Sequence, residues 1–272
     1  MSLWSDRRFL RDVQYQTDVN LSARQSIYAY RQPPVDMVGQ ELDLVLPAGG
    51  DSAGVVADIG CGNGRYLAEL MRREKAGYLV GVDLSPGMLR AARQRTQQAR
   101  RPGRRGPALA AADVAALPLR DSCADLSLAM GMLYHVPEPR SALRELRRVT
   151  RPGGRLLVGL NGADHHRELR AVIRAGLADL GHQAGPMVGE PFGLDEGEAL
   201  LRGLFGSVTR HEFRGQLVLP DPEPVAAYVR SMSLATRVGD PEALVRAVTS
   251  RLPNGPGATF FDTTHTGCLV CA

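Results

Sequence analysis

The stretch Val55-Val56-Ala57-Asp58-Ile59-Gly60-Cys61-Gly62-Asn63-Gly64 decides the fold. A short apolar run that ends in glycines reads as a buried strand turning sharply into a loop. Arg65 to Arg73 follows with Leu67, Leu70 and Met71 at helical spacing, and Arg72 and Arg73 in its last turn suit the negative end of a helix dipole. A helix starting there aims free N–H groups back at whatever the glycines approach. The glycines are spaced GxGxG. A dinucleotide fingerprint would need a glycine at 65, where Arg65 stands, so nicotinamide or flavin binding loses ground.

Outward from this unit, strands and helices alternate. Tyr78 to Val82 reads as a second buried strand, and Ser85-Pro86 as the cap and first residue of a helix through Met88, Leu89 and Ala92. Ala108–Ala112 and Ala124–Met130 read as strands three and four. Pro139–Val149 reads as a helix, and Arg155–Leu160 as strand five after the turn Arg151-Pro152-Gly153-Gly154. Such alternation implies a parallel sheet covered on both faces, with ligands at the carboxyl edge. The ends differ. Residues 1–46 read as a helical cap, broken at Pro33-Pro34 and resuming with Val38, Leu42 and Val45. Past strand five come helices near 166–180 and 195–205, strands over 207–219 and 259–271, and a helical insertion at about 220–252. The expected division is a 1–46 lid and a 47–272 core.

Carboxylates end three successive strands. Asp58 precedes the glycines. Asp83 ends the second strand in Gly81-Val82-Asp83-Leu84-Ser85, where a carboxylate suits ribose hydroxyls. Asp113-Val114 ends the third, suited to an exocyclic amine with an apolar wall beside it. Together with Arg148-Val149-Thr150-Arg151-Pro152-Gly153-Gly154, these motifs resemble those of the class I S-adenosylmethionine-dependent methyltransferases. The similarity is greatest to the ubiquinone/menaquinone-biosynthesis-like group called methyltransferase type 11, and is firm over about 55–160. The resemblance implies an α/β, Rossmann-like seven-stranded sheet of order 3-2-1-4-5-7-6 with the last strand antiparallel. It also implies S-adenosyl-L-methionine as cofactor and S-adenosyl-L-homocysteine as product.

Carried over by position, Gly60, Cys61, Gly62, Asn63 and Gly64 would line the methionine part of the cofactor, with Asp58 toward its amino group. Asp83 would hold the ribose, Leu84 and Met88 would flank the adenine, and Asp113 and Val114 would meet its edge. Met130 would sit beside the methionine moiety through its backbone. Tyr15 and Arg24 of the lid would reach the same end.

The donor's methyl is already activated, so the protein must position an acceptor and, where required, deprotonate it. His135, in Gly131-Met132-Leu133-Tyr134-His135-Val136-Pro137, is the candidate base; the alternative is a histidine that packs at a helix entry. Tyr28, Tyr134, Asn161, His165 and His166 are the candidate acceptor-site residues. Adjacent histidines are not metal spacing on a helix, and no metal is expected.

Composition bounds the rest. The chain has 272 residues and a net charge of +4, with 33 basic residues of which only Lys75 is lysine. Arginine could serve nucleic acid, but 29 acidic residues nearly cancel it, and abundant Ala and Gly beside scarce Lys fit a GC-rich genome. A lysine base is excluded, since Lys75 lies outside every motif. Cys268-x-x-Cys271 has no second pair and sits on an expected strand, where residues three apart face opposite sides. No apolar run reaches about 18 residues and no secretory leader is evident, so a cytoplasmic protein is expected. The best reading is methyl transfer to O, N or C of a small-molecule acceptor in specialised metabolism, by a monomer or homodimer, with no nucleic-acid or membrane partner expected. The alternatives are an RNA or protein methyltransferase and a non-catalytic regulator on the same fold. Gly131-Met132-Leu133-Tyr134 lacks the Asn/Asp-Pro-Pro-aromatic signature of exocyclic-amine enzymes, and no Pro-Cys occurs there.

Overall fold

A computed structural model describes residues 5–46, 52–187, 190 and 192–272. Met1 to Trp4 and the expected boundary at 46/47 lie outside the described residues.

The chain begins with helix α1 (Arg7–Phe9), continued by a π-helical turn over Leu10–Gln14, and then α2 (Val19–Ser26). A two-residue strand β1 (Arg31–Gln32) and helix α3 (Met37–Asp43) follow. The core then alternates: β2 (Ala53–Ile59), α4 (Arg65–Arg73), β3 (Ala76–Asp83), α5 (Pro86–Ala99), β4 (Ala108–Ala111), β5 (Ala124–Met130), α6 (Pro139–Val149) and β6 (Thr150–Asn161). Last come α7 (Arg167–Asp179), α8 (Leu194–Arg202), β7 (Val208–Leu219), α9 (Glu223–Arg230), α10 (Pro241–Thr249) and β8 (Phe260–Cys271).

All eight strands form one sheet, in the order β1-β7-β8-β6-β5-β2-β3-β4. Without β1 this is the expected seven-stranded order. β2, β3, β4, β5 and β6 run parallel, and β8 is antiparallel to both its neighbours. The added strand pairs Arg31 with Leu217 and Gln32 with Gln216. It shortens the exposed edge of β7, a site open to unwanted strand pairing. Two residues carry no readable alternation, so β1 is made by tertiary contact. The expected turn at Arg151–Gly154 is absorbed into β6, which already pairs at Thr150 with Ala124 and shifts register before Leu126.

Alternation along the strands builds two core layers. Ala57 and Ile59 pack with Leu143, Leu146 and Val149 of α6 and Leu201 of α8. Val56, just before them, faces the other way toward Val38 and Leu42 of α3 and Leu70 of α4. Cys268 and Cys271 fall in opposite layers as thiols, which removes a shared redox or metal role. A third cluster joins α7, α9 and α10 with Ile27 into a helical cap beyond the carboxyl edge.

Packing explains one motif glycine. Gly64 has φ +75, and a Cβ there would lie 2.9 Å from the Ala92 Cα, where α4 meets α5. Gly64→Ala would therefore combine left-handed backbone strain with a clash against main chain. We expect a loss of about 2–4 kcal/mol in chemical denaturation, and an unchanged midpoint would contradict this packing role.

Candidate active site: a donor cleft and a second cavity

The carboxyl ends of β2, β3, β4 and β5 open into one cleft, about 1050 Å³ of empty space including its mouth. Its floor is the loop Gly60–Asn63, its polar groups include Asp83 and Asp113, and its apolar wall includes Leu84, Met88 and Val114. Parallel strands put these carboxylates at one edge because each stands at or just past its strand's end. The Asp83 carboxylate is locked by two backbone donors, Gly62 N–H at 2.8 Å and Ser85 N–H at 2.8 Å. Burial raises the Asp83 pKa and those bonds oppose the rise. Asp113 accepts from Ala115 N–H at 2.8 Å and pairs with Arg7 at 2.6 Å. Met130 lines the cleft while its side chain reaches across the sheet toward Gly159.

The N-terminal segment lies over this cleft. Ser85 Oγ donates to the Tyr15 carbonyl at 2.6 Å, and Asn63 Nδ2 donates to Gln25 Oε1 at 3.2 Å. The approach is so close that a Cβ on Gly87 would sit inside contact distance of the Gln16 carbonyl oxygen. The Tyr15 hydroxyl accepts from Arg24 at 3.0 Å and stands 2.8 Å from His135 Nε2. With its lone pair used by Arg24, the hydroxyl is placed to donate its proton to His135. Arg24 and Gln14 both donate to the Ser231 carbonyl, at 2.7 and 2.9 Å, tying the lid to the cap beyond α9.

Several expected site residues stand elsewhere. Arg24 is not on the cleft wall; it holds Tyr15, which is. Gly64 also leaves the wall, turned toward α5. Asp58 lies beneath the glycine loop, buried, and its Oδ2 has no hydrogen-bond partner among the described residues. Burial, then the nearby Asp83 charge, pushes its pKa up to about 8. Cys61 and Asn63 do line the cleft, but burial raises the Cys61 thiol far above its ordinary range, so it is no nucleophile.

Asn161, His165 and His166 do not reach the cleft. They line a second, smaller cavity at the end of β6, under α7 and the cap, about 350 Å³ of empty space including its opening to solvent. The Tyr28 hydroxyl contacts both histidines there, 2.9 Å from His165 Nε2 and 3.2 Å from His166 Nε2. Tyr134 lines neither space; its ring packs edge-on against His135 and its hydroxyl lies by Gly131. Burial raises its pKa, with Tyr15 and Tyr228 both near enough to add to the rise.

Sequence reading missed several participants. Arg7 had no signal, because its partner Asp113 is brought to it only by the lid. Asp262, buried on β8, meets His166 Nδ1 at 2.5 Å across 96 residues. Tyr66 donates at 2.5 Å to Glu41, a carboxyl that burial pushes up to about 7. Among the described residues, no group of three or more His, Cys, Asp or Glu is placed to hold a metal ion, and no helix is long and apolar enough to cross a membrane.

Comparison with known proteins fits this architecture. Residues 57–158 match the family described as a methyltransferase domain. This part of the chain is a class I, S-adenosylmethionine-dependent methyltransferase domain of the type 11 group, and its methyl donor is S-adenosylmethionine. Among curated relatives, an uncharacterized 37.1 kDa protein in transposon Tn4556 of Streptomyces fradiae is 38% identical over 121 residues, 43% of this chain and 32% of that protein. A malonyl-[acyl-carrier protein] O-methyltransferase of Halorhodospira halophila is 35% identical over 129 residues, 47% of this chain and 41% of that one. The mouse tRNA (carboxymethyluridine(34)-5-O)-methyltransferase ALKBH8 is 36% identical over 110 residues, 39% of this chain and 14% of that one. The chain thus spans well under half the length of these relatives. Two solved structures share the fold. YcgJ of Bacillus subtilis aligns with a TM-score of 0.58 at 18% identity, over 86% of this chain and 96% of that one. The Haemonchus contortus phosphoethanolamine N-methyltransferase 2, in complex with phosphomonomethylethanolamine and S-adenosylhomocysteine, aligns with a TM-score of 0.56 at 15% identity. That alignment covers 100% of this chain and 60% of that one.

The raised Asp58 and Glu41 values make a pH prediction with a definite sign. Both carboxyls hold protons in the folded chain that they release in the unfolded one near pH 4. Stability of the ligand-free protein is therefore greatest below about pH 4 as far as these two groups go, and is lost as pH rises toward about 8. Asp58→Asn should flatten the upper part of that decline and raise the thermal midpoint at neutral pH by several degrees. A midpoint that falls instead would mean Asp58 is paired in the folded protein.

Proposed function

We propose that the chain transfers the methyl group of S-adenosylmethionine to a small-molecule acceptor in specialised metabolism. The single observation carrying this reading is the cleft itself, whose backbone-locked carboxylate, second acid at the next strand end and apolar wall suit the parts of that donor. Asp83, with both oxygens fixed by backbone N–H groups, would take the ribose hydroxyls through its remaining lone pairs. Leu84, Met88 and Val114 would enclose the adenine, with Asp113 at its edge. Asp58, unpartnered under the floor, would compensate the amino group from below.

The donor supplies an electrophilic methyl carbon, so the chain's own work is positioning, exclusion of water and handling of one proton. The lid supplies the exclusion through Tyr15 and Ser85. His135 stands at the cleft with Nε2 2.8 Å from the Tyr15 hydroxyl, so that nitrogen can receive an acceptor proton only by exchanging that partner. This favours Tyr15 and His135 as a positioning pair, with His135 a base only when the acceptor displaces the phenol.

Two of the relatives act on a carrier-protein-bound acid and on tRNA, which makes a macromolecular acceptor the second reading. Against it, Arg101 and Arg104 of the arginine-rich loop pair with Glu74 at the end of α4, on the sheet edge opposite the cleft. The covered cleft and the small second cavity favour a small acceptor. The four free cysteines suit a cytoplasmic setting.

Calorimetric titration with S-adenosylhomocysteine tests the donor assignment. Asp83→Asn should weaken binding by at least about tenfold, the scale of one lost charge-assisted hydrogen bond, without altering the fold by circular dichroism. Undiminished affinity would refute the site. Transfer of labelled methyl to small acids and phenols, but not to bulk RNA, is the expected activity.

A further inference from the structure

The second cavity holds an ordered proton chain that the donor cleft does not use. The backbone N–H of His265 donates to His165 Nδ1 at 3.1 Å, so His165 carries its proton on Nε2, facing Tyr28. Tyr28 receives that bond and directs its own proton to His166 Nε2. His166 Nδ1–H is then committed to Asp262 Oδ2, and Asp262 Oδ1 accepts from Leu169 N–H at 2.9 Å. Hydrogen-bond bookkeeping thus assigns both tautomers. His166 has φ +55 at the start of α7, a strained backbone for a residue with a side chain.

Beside this chain stands Arg170. One of its terminal nitrogens donates to the Ala163 carbonyl and the other lies 3.2 Å from Glu190. Its Nε–H is buried with no partner among the described residues. Glu190 is shared with Arg174, so one carboxylate serves two guanidinium groups. Among the described residues no acidic side chain lines the cavity; the rest of its wall is Asn161, Leu169, Ile173, Met187, Met232 and the ring of Tyr228. A buried donor without an acceptor, two guanidinium groups sharing one carboxylate and largely apolar walls describe the complement of a small apolar acid. One spare N–H suits a singly charged carboxylate better than a phosphate dianion.

We propose that this cavity is a carboxylate-recognition subsite, in which Arg170 Nε–H holds the anion and His166 takes up a proton as it binds. The ligand is an aromatic or aliphatic carboxylic acid. It rests on the methyl-transfer reading only in being called the acceptor, whose anionic end lies here while another atom reaches the cleft past Asn161 and Gly131. The anion arrives facing the lone pair of His166 Nε2. One proton from the buffer converts that nitrogen into a donor shared by Tyr28 and the carboxylate, and Asp262 balances the new charge. The other groups facing this imidazole are the rings of His165 and Tyr228, with Arg170 in the same wall, while Arg170, His265 and Arg31 act on the neighbouring His165. Several of these charges hold the buried His165 neutral, its pKa well below the ordinary imidazole value, with burial the main cause. His166 Nε2 is then the ring nitrogen left to meet the anion.

The test is calorimetric, on the full chain saturated with S-adenosylhomocysteine, using benzoate as probe at about pH 7.5 in phosphate and in Tris. Benzoate should bind at least tenfold more tightly than benzyl alcohol, with a heat that differs between the buffers as proton uptake requires. Arg170→Gln should weaken benzoate at least tenfold, and Arg170→Lys, which keeps charge without the Nε–H, should fall between. Asp262→Asn should bind benzoate without proton uptake, because the amide lets His166 carry its proton on Nε2 beforehand. S-adenosylhomocysteine affinity reads folding and the donor site separately in every sample. If that ligand binds normally and benzoate does not bind, or binds no better than benzyl alcohol, the proposal fails. It fails equally if Arg170→Gln leaves benzoate affinity intact or Asp262→Asn retains the proton uptake.

Discussion

The hydrogen bond from the Gly62 N–H to the Asp83 carboxylate ties the loop after β2 to the end of β3, and the site depends on it. It holds the glycine loop open against the next strand and gives a buried carboxylate enough backbone donors to remain a useful acceptor. Everything else at the carboxyl edge is arranged around that junction. Asp58 sits beneath it, Asp113 ends the following strand, and Ser85, which donates to the lid, is only two residues past Asp83. Buried carboxylates so close together disfavour one another's ionisation, and a cationic group bound beside them would favour it.

The lid is part of this arrangement rather than an appendage. Its contacts run from Arg7 on Asp113, through Tyr15 on Ser85 and His135, to Arg24 and Gln14 on the Ser231 carbonyl. It therefore touches the donor cleft at one end and the cap of the second cavity at the other. Closure over one space bears on the geometry of the other without any longer chain of contacts. Tyr134, half-buried with its hydroxyl by Gly131, lies near both Tyr15 of the lid and Tyr228 of the cap.

How much of this could be read from the sequence follows from the range of each signal. β2, β3, β5 and β6 are short apolar runs bounded by turns, and Asp83 and Asp113 mark strand ends, so the parallel sheet and its carboxyl-edge cleft were legible from local pattern, while the strand order came from the resemblance to the methyltransferase family. Gly64 and Arg24 were misplaced because a motif position fixes a residue's place along the chain but not which way it faces. Gly64 turns to Ala92, and Arg24 spends its donors on Tyr15 and Ser231. β1, the Arg7–Asp113 pair and the His166–Asp262 pair were invisible because each joins segments far apart in sequence, with no periodicity to announce them. His165 and His166 stand against Tyr28 and, with Asn161, line a cavity apart from the cleft, a separation that no local pattern announces.

The central claim is that the cleft between the glycine loop and Asp83 receives the methyl donor. A crystal structure of the full chain with S-adenosylhomocysteine tests it most directly. The account predicts ribose hydroxyls on Asp83, the adenine beside Leu84, Met88 and Val114, and Arg7 drawn away from Asp113 where the base edge meets that carboxylate. Density for the ligand outside this cleft, or a bound nucleoside that leaves Asp83 untouched, would contradict it.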